Sequence, residues 1–312
     1  MPVRRWILAA FIVFACALDA QRMTWEPSPG HAQIPIWPGS APDPQPVKGL
    51  ETAEKVTKDP VAGQPWIAVS NVSQPTMTVY SPTARNTGVA VVVFPGGGYE
   101  ILAIDLEGTE VCDWLTSKGI TCVLLKYRVP APRSEPNWGA YPQSSMALED
   151  AQRTMGLVRF HAAEWGIDPH RVGVLGFSAG GHLAAAISTH FDKRLYAPLD
   201  DADKESCRPD FAVPIYPGHI ELQENTLVLN RAVPVTHETP PTFLLQAEDD
   251  HVDGVDHALT YYIALERAGV PVEMHLYARG GHAFGLRHTA QPITDWPGLV
   301  EQWLRTIGMI SE

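Results

Sequence analysis

Cysteine is scarce, four in 312 residues, and none falls in a C-x-x-C or Cys/His array. A disulfide framework, a structural zinc site and a redox dithiol therefore have no support. Charge is also sparse, at 19% of residues, and leans to one sign: 23 Lys plus Arg against 35 Asp plus Glu give a formal net charge of −12. Without a basic cluster the chain lacks the electrostatic footprint of a nucleic-acid or anionic-membrane binder. It has no repeat of solenoid period and no low-complexity tract. What it does have is 45% hydrophobic residues, enough at this length to bury a large core and to exclude a disordered chain.

Residues 1–20 (MPVRRWILAAFIVFACALDA) set Arg4 and Arg5 before an apolar run from Trp6 to Leu18, followed by small residues at Ala17 and Ala20. That is the pattern of a secretory signal peptide, so a secreted or periplasmic location is expected. The run is short of the roughly 20 residues that cross a bilayer. An uncleaved anchor is the weaker reading, as is a lipid anchor on Cys16, because Phe14 is bulky for a lipoprotein box. Cys112 and Cys122 fall in segments expected to be buried, so packed free thiols are expected there rather than a bridge.

From Gln21 to about Pro75 the chain is rich in Pro and small polar residues with only short β-like pieces, which suggests an extended arm. Residues 76–312 then alternate apolar strands with helical patterns. Strands are expected at Thr76 to Tyr80, Gly88 to Phe94, Ile120 to Tyr127, Arg171 to Gly176, Phe211 to Tyr216, Thr242 to Ala247 and Val272 to Tyr277. Helices are expected at Glu107 to Ser117, Ser145 to Trp165, Ser178 to Thr189, Val255 to Ala268 and Pro297 to Ile307. The fold class is α/β, with a mostly parallel central sheet and helices on both faces. Such sheets place their chemistry at the carboxyl ends of the strands.

One of those ends carries Gly176-Phe177-Ser178-Ala179-Gly180, a G-x-S-x-G pattern between a strand and a helix. A nucleophile on so sharp a turn needs neighbours without side chains two positions either side, and the turn brings the Ala179 amide to a helix start facing an oxyanion. Phe94-Pro95-Gly96-Gly97-Gly98-Tyr99 ends an earlier strand, where Gly97 and Gly98 are candidate amide donors to the same oxyanion. Glu248-Asp249-Asp250-His251 and Gly280-Gly281-His282 follow two later strands. Ser178, Asp250 and His282 thus stand in the nucleophile, acid, base order of α/β-hydrolases. Asp249 competes with Asp250 for the acid role, and Asp250 is favoured. His251, Asp253, Asp256 and His257 have no recognised metal-ligand spacing and read as a solvated helix start, so no metal site is expected.

Together PGGGY, GFSAGGH, QAEDDHVD and ARGGHAFGL resemble the α/β-hydrolase esterases of the hormone-sensitive-lipase-like and bacterial feruloyl/acetyl-esterase-like group. Trp37-Pro38-Gly39-Ser40-Ala41-Pro42 looks like the arm of secreted members labelled acetylxylan esterases. Pro95 stands where the lipase-like branch has His, so no role for that His carries over. The resemblance implies a serine carboxylesterase that needs no cofactor and takes a small-molecule or polysaccharide ester, with acetyl esters of carbohydrates such as xylan favoured. The alternatives are a feruloyl or general short-chain carboxylesterase, a serine peptidase of the same fold, and a catalytically dead binding protein. Aromatic residues near the expected rim, Tyr99, Trp138 and Tyr216, are candidate substrate contacts. Nothing in the sequence specifies an oligomeric state.

Overall fold

The computed structural model describes residues 24–43, 49–129, 146–223 and 226–311. Ahead of the main alternation come β1 (Ile34–Pro35), β2 (Thr52–Val61), β3 (Gln64–Ser70) and β4 (Thr76–Tyr80). The alternation then runs β5 (Ala90–Phe94), β6 (Ile101–Ala103), α1 (Glu110–Ser117), β7 (Thr121–Lys126), α2 (Met146–Phe160), β8 (Val172–Phe177) and α3 (Ala179–Ile187). It closes with β9 (Ala212–Ile215), β10 (Thr242–Ala247), α4 (Val255–Arg267), β11 (Val272–Tyr277) and α5 (Trp296–Thr306). Eight strands form one sheet in the order β1-β4-β7-β5-β8-β9-β10-β11. β4 runs antiparallel to both neighbours, and every pairing from β7 across to β11 is parallel.

Every residue of β5, β7, β8, β9 and β10 is buried. These strands read as continuous apolar runs because helices cover both faces of the sheet. Successive side chains still point to opposite sides: Phe243 meets Trp303 of α5, whereas Leu244 packs with Tyr261 and Leu265 of α4 and Ala185 of α3. α1 joins α5 through Trp114 and Trp296, whose ring centroids lie 5.5 Å apart. Each fully buried Val or Leu contributes roughly 1.5–3 kcal/mol. That apolar slab holds the polar and strained turns at the carboxyl ends of β5, β8, β10 and β11 in fixed relation.

The arm departs from the extended segment expected of it. β2 and β3 form a long hairpin that joins β6 in a second, antiparallel sheet of three strands. Its two-residue turn, Ala62-Gly63, has φ of 50° and 75°, the twist that suits a tight hairpin. The hairpin escaped sequence reading for two reasons. Most of β2 faces solvent and so shows no hydrophobic alternation, and Ala in place of Asn or Asp hides the usual turn signal.

Trp37 anchors the arm to the core. Its Nε1 donates to Asp150 Oδ1 at 2.8 Å, and the guanidinium groups of Arg128 and Arg153 each lie 5.9 Å from its ring centroid. Asp150 is itself fully buried and ion-paired to Arg128 at 2.9 Å. Burial pushes the Asp150 carboxyl upward and the Arg128 charge opposes that shift. A charge in the interior is tolerated when it is paired and hydrogen-bonded in this way.

Two further expectations are corrected. The helix expected from Glu107 begins instead as a π-turn over residues 105–109, and α1 proper starts at Glu110. Cys112 and Cys122, expected as free thiols, form a disulfide with Cα atoms 5.1 Å apart. Sequence reading placed each in a buried element. It did not show that the turn at Lys118 and Gly119 brings β7 back beneath α1 and sets the two side by side. Cys207 is free and buried.

By the chain-entropy model a loop of this length is worth about 2–3 kcal/mol. We expect Cys112→Ser/Cys122→Ser to lose that much stability in urea unfolding. Alkylation of the unfolded, unreduced protein should leave Cys112 and Cys122 unlabelled until reductant is added; labelling without reductant would refute the bridge.

Candidate active site

Ser178 lies between β8 and α3 with φ 52° and ψ −117°, a conformation non-glycine residues rarely adopt. The turn is held by close approach on both sides. A Cβ at Gly176 would stand 2.0 Å from Gly180 O, and one at Gly180 would stand 2.1 Å from Phe94 O. Only glycine fits either position. Ser178 N donates to Ile215 O at 3.0 Å on the neighbouring strand, so the elbow is tied to β9 as well as β5.

The loop after β11 presents His282 to this turn. His282 Nε2 lies 2.9 Å from Ser178 Oγ and Nδ1 lies 2.7 Å from Asp250 Oδ2. A carboxylate only accepts, so Nδ1–H donates to Asp250, which leaves Nε2 to accept the Ser178 hydroxyl proton. Burial alone would lower the His282 pKa; the Asp250 hydrogen bond and charge, aided by Asp253 and Glu107, outweigh it and hold the imidazole above its ordinary value.

Asp249 and Asp250 divide the work between them. Asp250 has its side chain buried and also accepts from Val252 N at 2.9 Å and Asp253 N at 3.1 Å. Asp249 Oδ1 accepts from Gly280 N and Gly281 N, both at 2.8 Å. Those amides hold the Asp249 carboxyl below its usual range. Asp249 thus clasps the loop that Asp250 orients.

Gly97, Gly98 and Ala179 line the same cavity as Ser178 and His282, a cleft of about 830 Å³. The β2–β3 hairpin supplies part of its wall through Asp59, Pro60, Val61 and Trp66, and His219, Glu221 and Asp253 add polar groups. Trp138 lies outside the described residues.

Tyr99 and Tyr216, expected as substrate contacts, are buried beneath the site instead. Tyr216 donates to Glu107 Oε1 at 2.8 Å and accepts from Gly285 N at 3.2 Å, and its ring centroid is 4.9 Å from that of His282. Burial and the adjoining Glu107 carboxylate push its phenol well above the ordinary value. Tyr99 donates to Ala179 O and lies 2.9 Å from His182 Nδ1. Since the Tyr99 proton is committed to a carbonyl, His182 Nδ1–H is the donor to Tyr99. Burial keeps His182 neutral by pushing its pKa well below the ordinary value.

Sequence reading missed two residues. Glu107 is fully buried, its pKa raised by desolvation, and its Oε2 accepts from Gly96 N at 2.8 Å. With Tyr216 it links the glycine loop after β5 to the histidine loop after β11. A carboxylate in a helical pattern gives no hint of this, because the π-turn turns it inward. Asp253, read as part of a solvated helix start, instead accepts from Ser178 Oγ at 3.2 Å. Its only sequence signal is a position three residues after Asp250.

The chain matches the model of the prolyl oligopeptidase family over residues 110–305. Among curated proteins it is 31% identical to an acetylxylan esterase of Xylanibacter ruminicola over 71% of this chain and 46% of that protein. It is 28% identical to an endo-1,4-beta-xylanase B of Butyrivibrio fibrisolvens over 67% of this chain and 34% of that protein. The chain thus spans less than half the length of these two relatives. Among solved structures, an acetyl ester-xyloside bifunctional hydrolase from Caldicellulosiruptor lactoaceticus is 32% identical with a TM-score of 0.71, covering 90% of this chain and 97% of that one. An esterase of Thermogutta terrifontis, 22% identical with a TM-score of 0.61 over 83% of this chain and 96% of that one, shares the fold. With the α/β-hydrolase architecture and the family match over most of the sheet and its loops, the chain belongs to the prolyl oligopeptidase (S9) family.

Proposed function

We propose that the protein is a secreted serine esterase that removes short acyl groups, acetyl foremost, from carbohydrate esters such as those of xylan. The observation that carries this reading is the hydrogen-bonded line Ser178–His282–Asp250 opening into a cleft lined by both polar and apolar side chains. Its substrate part draws on the likeness to an acetylxylan esterase and to an acetyl ester-xyloside hydrolase. The secreted location rests on the pattern of residues 1–20.

In this reading Ser178 Oγ attacks the ester carbonyl while His282 Nε2 takes its proton. Asp250 holds the imidazole in the working tautomer and stabilises its cation. The amides of Gly97, Gly98 and Ala179 receive the negative charge that forms on the carbonyl oxygen, donors that need no reorganisation as the charge develops. His282 then passes the proton to the departing alcohol. Water, deprotonated by His282, attacks the acyl-Ser178 ester and frees the acid, and the proton returns to Ser178.

Ser178→Ala should lower turnover by on the order of 10⁴-fold or more, measured as acetate released from acetylated xylan with nitrophenyl acetate alongside. A variant keeping half the activity would sink the assignment. Release from the nitrophenyl ester alone would keep the mechanism and move the substrate to feruloyl or other small esters.

The proton-accepting form of His282 is the neutral one, and its pKa is raised. Activity should therefore fall with decreasing pH at a midpoint above the free imidazole value of about 6.5. Asp250→Asn should move that midpoint to lower pH and cut kcat by about 10³–10⁴-fold. A pH profile unmoved in this variant would remove Asp250 from its role.

A further inference from the structure

The hydroxyl proton of Ser178 has two acceptors within reach. His282 Nε2 lies 2.9 Å away and Asp253 Oδ2 lies 3.2 Å away. Asp253 Oδ2 is also 3.8 Å from His282 Nε2, so the carboxylate borders the space between nucleophile and base. Its backbone is held firmly: Asp253 N donates to Asp250 Oδ1 at 3.1 Å, and Asp253 O accepts from Gln246 Nε2 at 2.7 Å. The side chain packs over Gly218, where an added Cβ would stand 2.3 Å from Asp253 Oδ1. The Asp253 side chain keeps 15% exposure, and among the described residues lining the cleft none is Lys or Arg. A carboxylate fixed beside the reacting atoms, holding the Ser178 hydroxyl on one oxygen, has lone pairs to spare for a further donor.

Position decides which part of a substrate supplies that donor. The departing alcohol oxygen must come within hydrogen-bond reach of His282 Nε2 to receive its proton. Asp253 Oδ2 lies 3.8 Å from that nitrogen. A hydroxyl on the carbon next to the ester-bearing carbon is three bonds from the departing oxygen, a separation that a carboxylate 3.8 Å from Nε2 can bridge.

We propose that Asp253 is a specificity-determining residue that accepts a hydrogen bond from the hydroxyl vicinal to the scissile ester, so that the site selects esters of vicinal polyols, the arrangement of a partly acylated sugar. The assignment rests on the ester-hydrolase reading above and deepens it. When the substrate hydroxyl occupies Asp253, the Ser178 proton is left wholly to His282, the acceptor that activates it. An ester without that hydroxyl leaves Asp253 either competing for the serine proton or stripped of a donor.

The test compares kcat/KM for 2-hydroxyethyl acetate and propyl acetate, which carry the same acyl group on alcohols of similar length. The wild-type ratio should favour the hydroxyl ester by on the order of tenfold or more, the worth of one hydrogen bond to a charged acceptor. It should collapse toward unity in Asp253→Ala and in Asp253→Leu, which keeps the size and removes the acceptor. A ratio within twofold of wild type in either active variant overturns the proposal. So does loss of both substrates in both variants, which would make Asp253 a structural member of the acid turn. Acetylcholine places a cation without a donor at the same distance; if its turnover, rather than that of the hydroxyl ester, depends on Asp253, charge and not a hydroxyl is being read, and the proposal fails. Acetate release from acetylated xylo-oligosaccharides by the wild type is measured in parallel. No release with the ratio intact would refute the carbohydrate reading alone, and release with an unchanged ratio would refute this one alone.

Discussion

The site depends on one strained residue and on the packing that holds it. Ser178 sits at φ 52°, ψ −117°, at a cost on the order of 1–3 kcal/mol, and its turn closes only where Gly176 meets Gly180 O and Gly180 meets Phe94 O. These contacts do more than expose the hydroxyl. Because Gly180 packs on the last residue of β5, the start of α3 and the glycine loop after β5 are locked to each other. The amides of Gly97 and Ala179 therefore keep a constant relation to Ser178. The central position of β8, between β5 and β9, makes this possible, since a nucleophile there has a strand end on either side to lean on.

Beneath the reacting groups lies a layer of buried polar atoms that joins loops remote in sequence. Glu107 holds Gly96 N with one oxygen and Tyr216 with the other, and Tyr216 accepts from Gly285 N. Three loops are thus joined through one carboxylate and one phenol. Tyr99 makes a parallel tie from the glycine loop to Ala179 O and His182. In an interior of low polarity such bonds are strong, and losing one partner strands the other. The layer therefore favours a single arrangement of the glycine loop after β5 and the histidine loop after β11. The adjacent acids Asp249 and Asp250 follow the same logic, one fixing the histidine loop and the other the imidazole it carries.

Much of this was legible in the residues themselves. The continuous runs in β5, β7, β8 and β10 announce strands covered on both faces, and glycine spacing around Ser178 announces the elbow. Ser178, Asp250 and His282 were found by their position at strand ends, and the structure sets His282 2.9 Å from Ser178 and 2.7 Å from Asp250. Tyr99 and Tyr216 were misread because a residue just past a strand end can point out to the cleft or back under it. Their φ values of 60° and 37° turn them back under, and no pattern in the sequence encodes that choice. The hairpin of the arm, the π-turn at Glu107 and the pairing of Cys112 with Cys122 were missed for a related reason, since each is settled by what lies across from it.

The sequence by itself determined the α/β class, the order of elements from β7 to α5 and the identity of the nucleophile, acid and base candidates. Those features rest on local steric rules and on hydrophobic period, which act over a few residues. Only the tertiary structure decided between Asp249 and Asp250 as partner of His282, turned Glu107, Tyr99 and Tyr216 inward, and set Asp253 against Ser178. Each of these is a contact between segments separated by up to about a hundred residues in the chain, for example Tyr216 and Glu107, 109 residues apart. Such contacts follow from how the strands order themselves in the sheet, because that order, and not local propensity, determines which loops meet at its carboxyl edge.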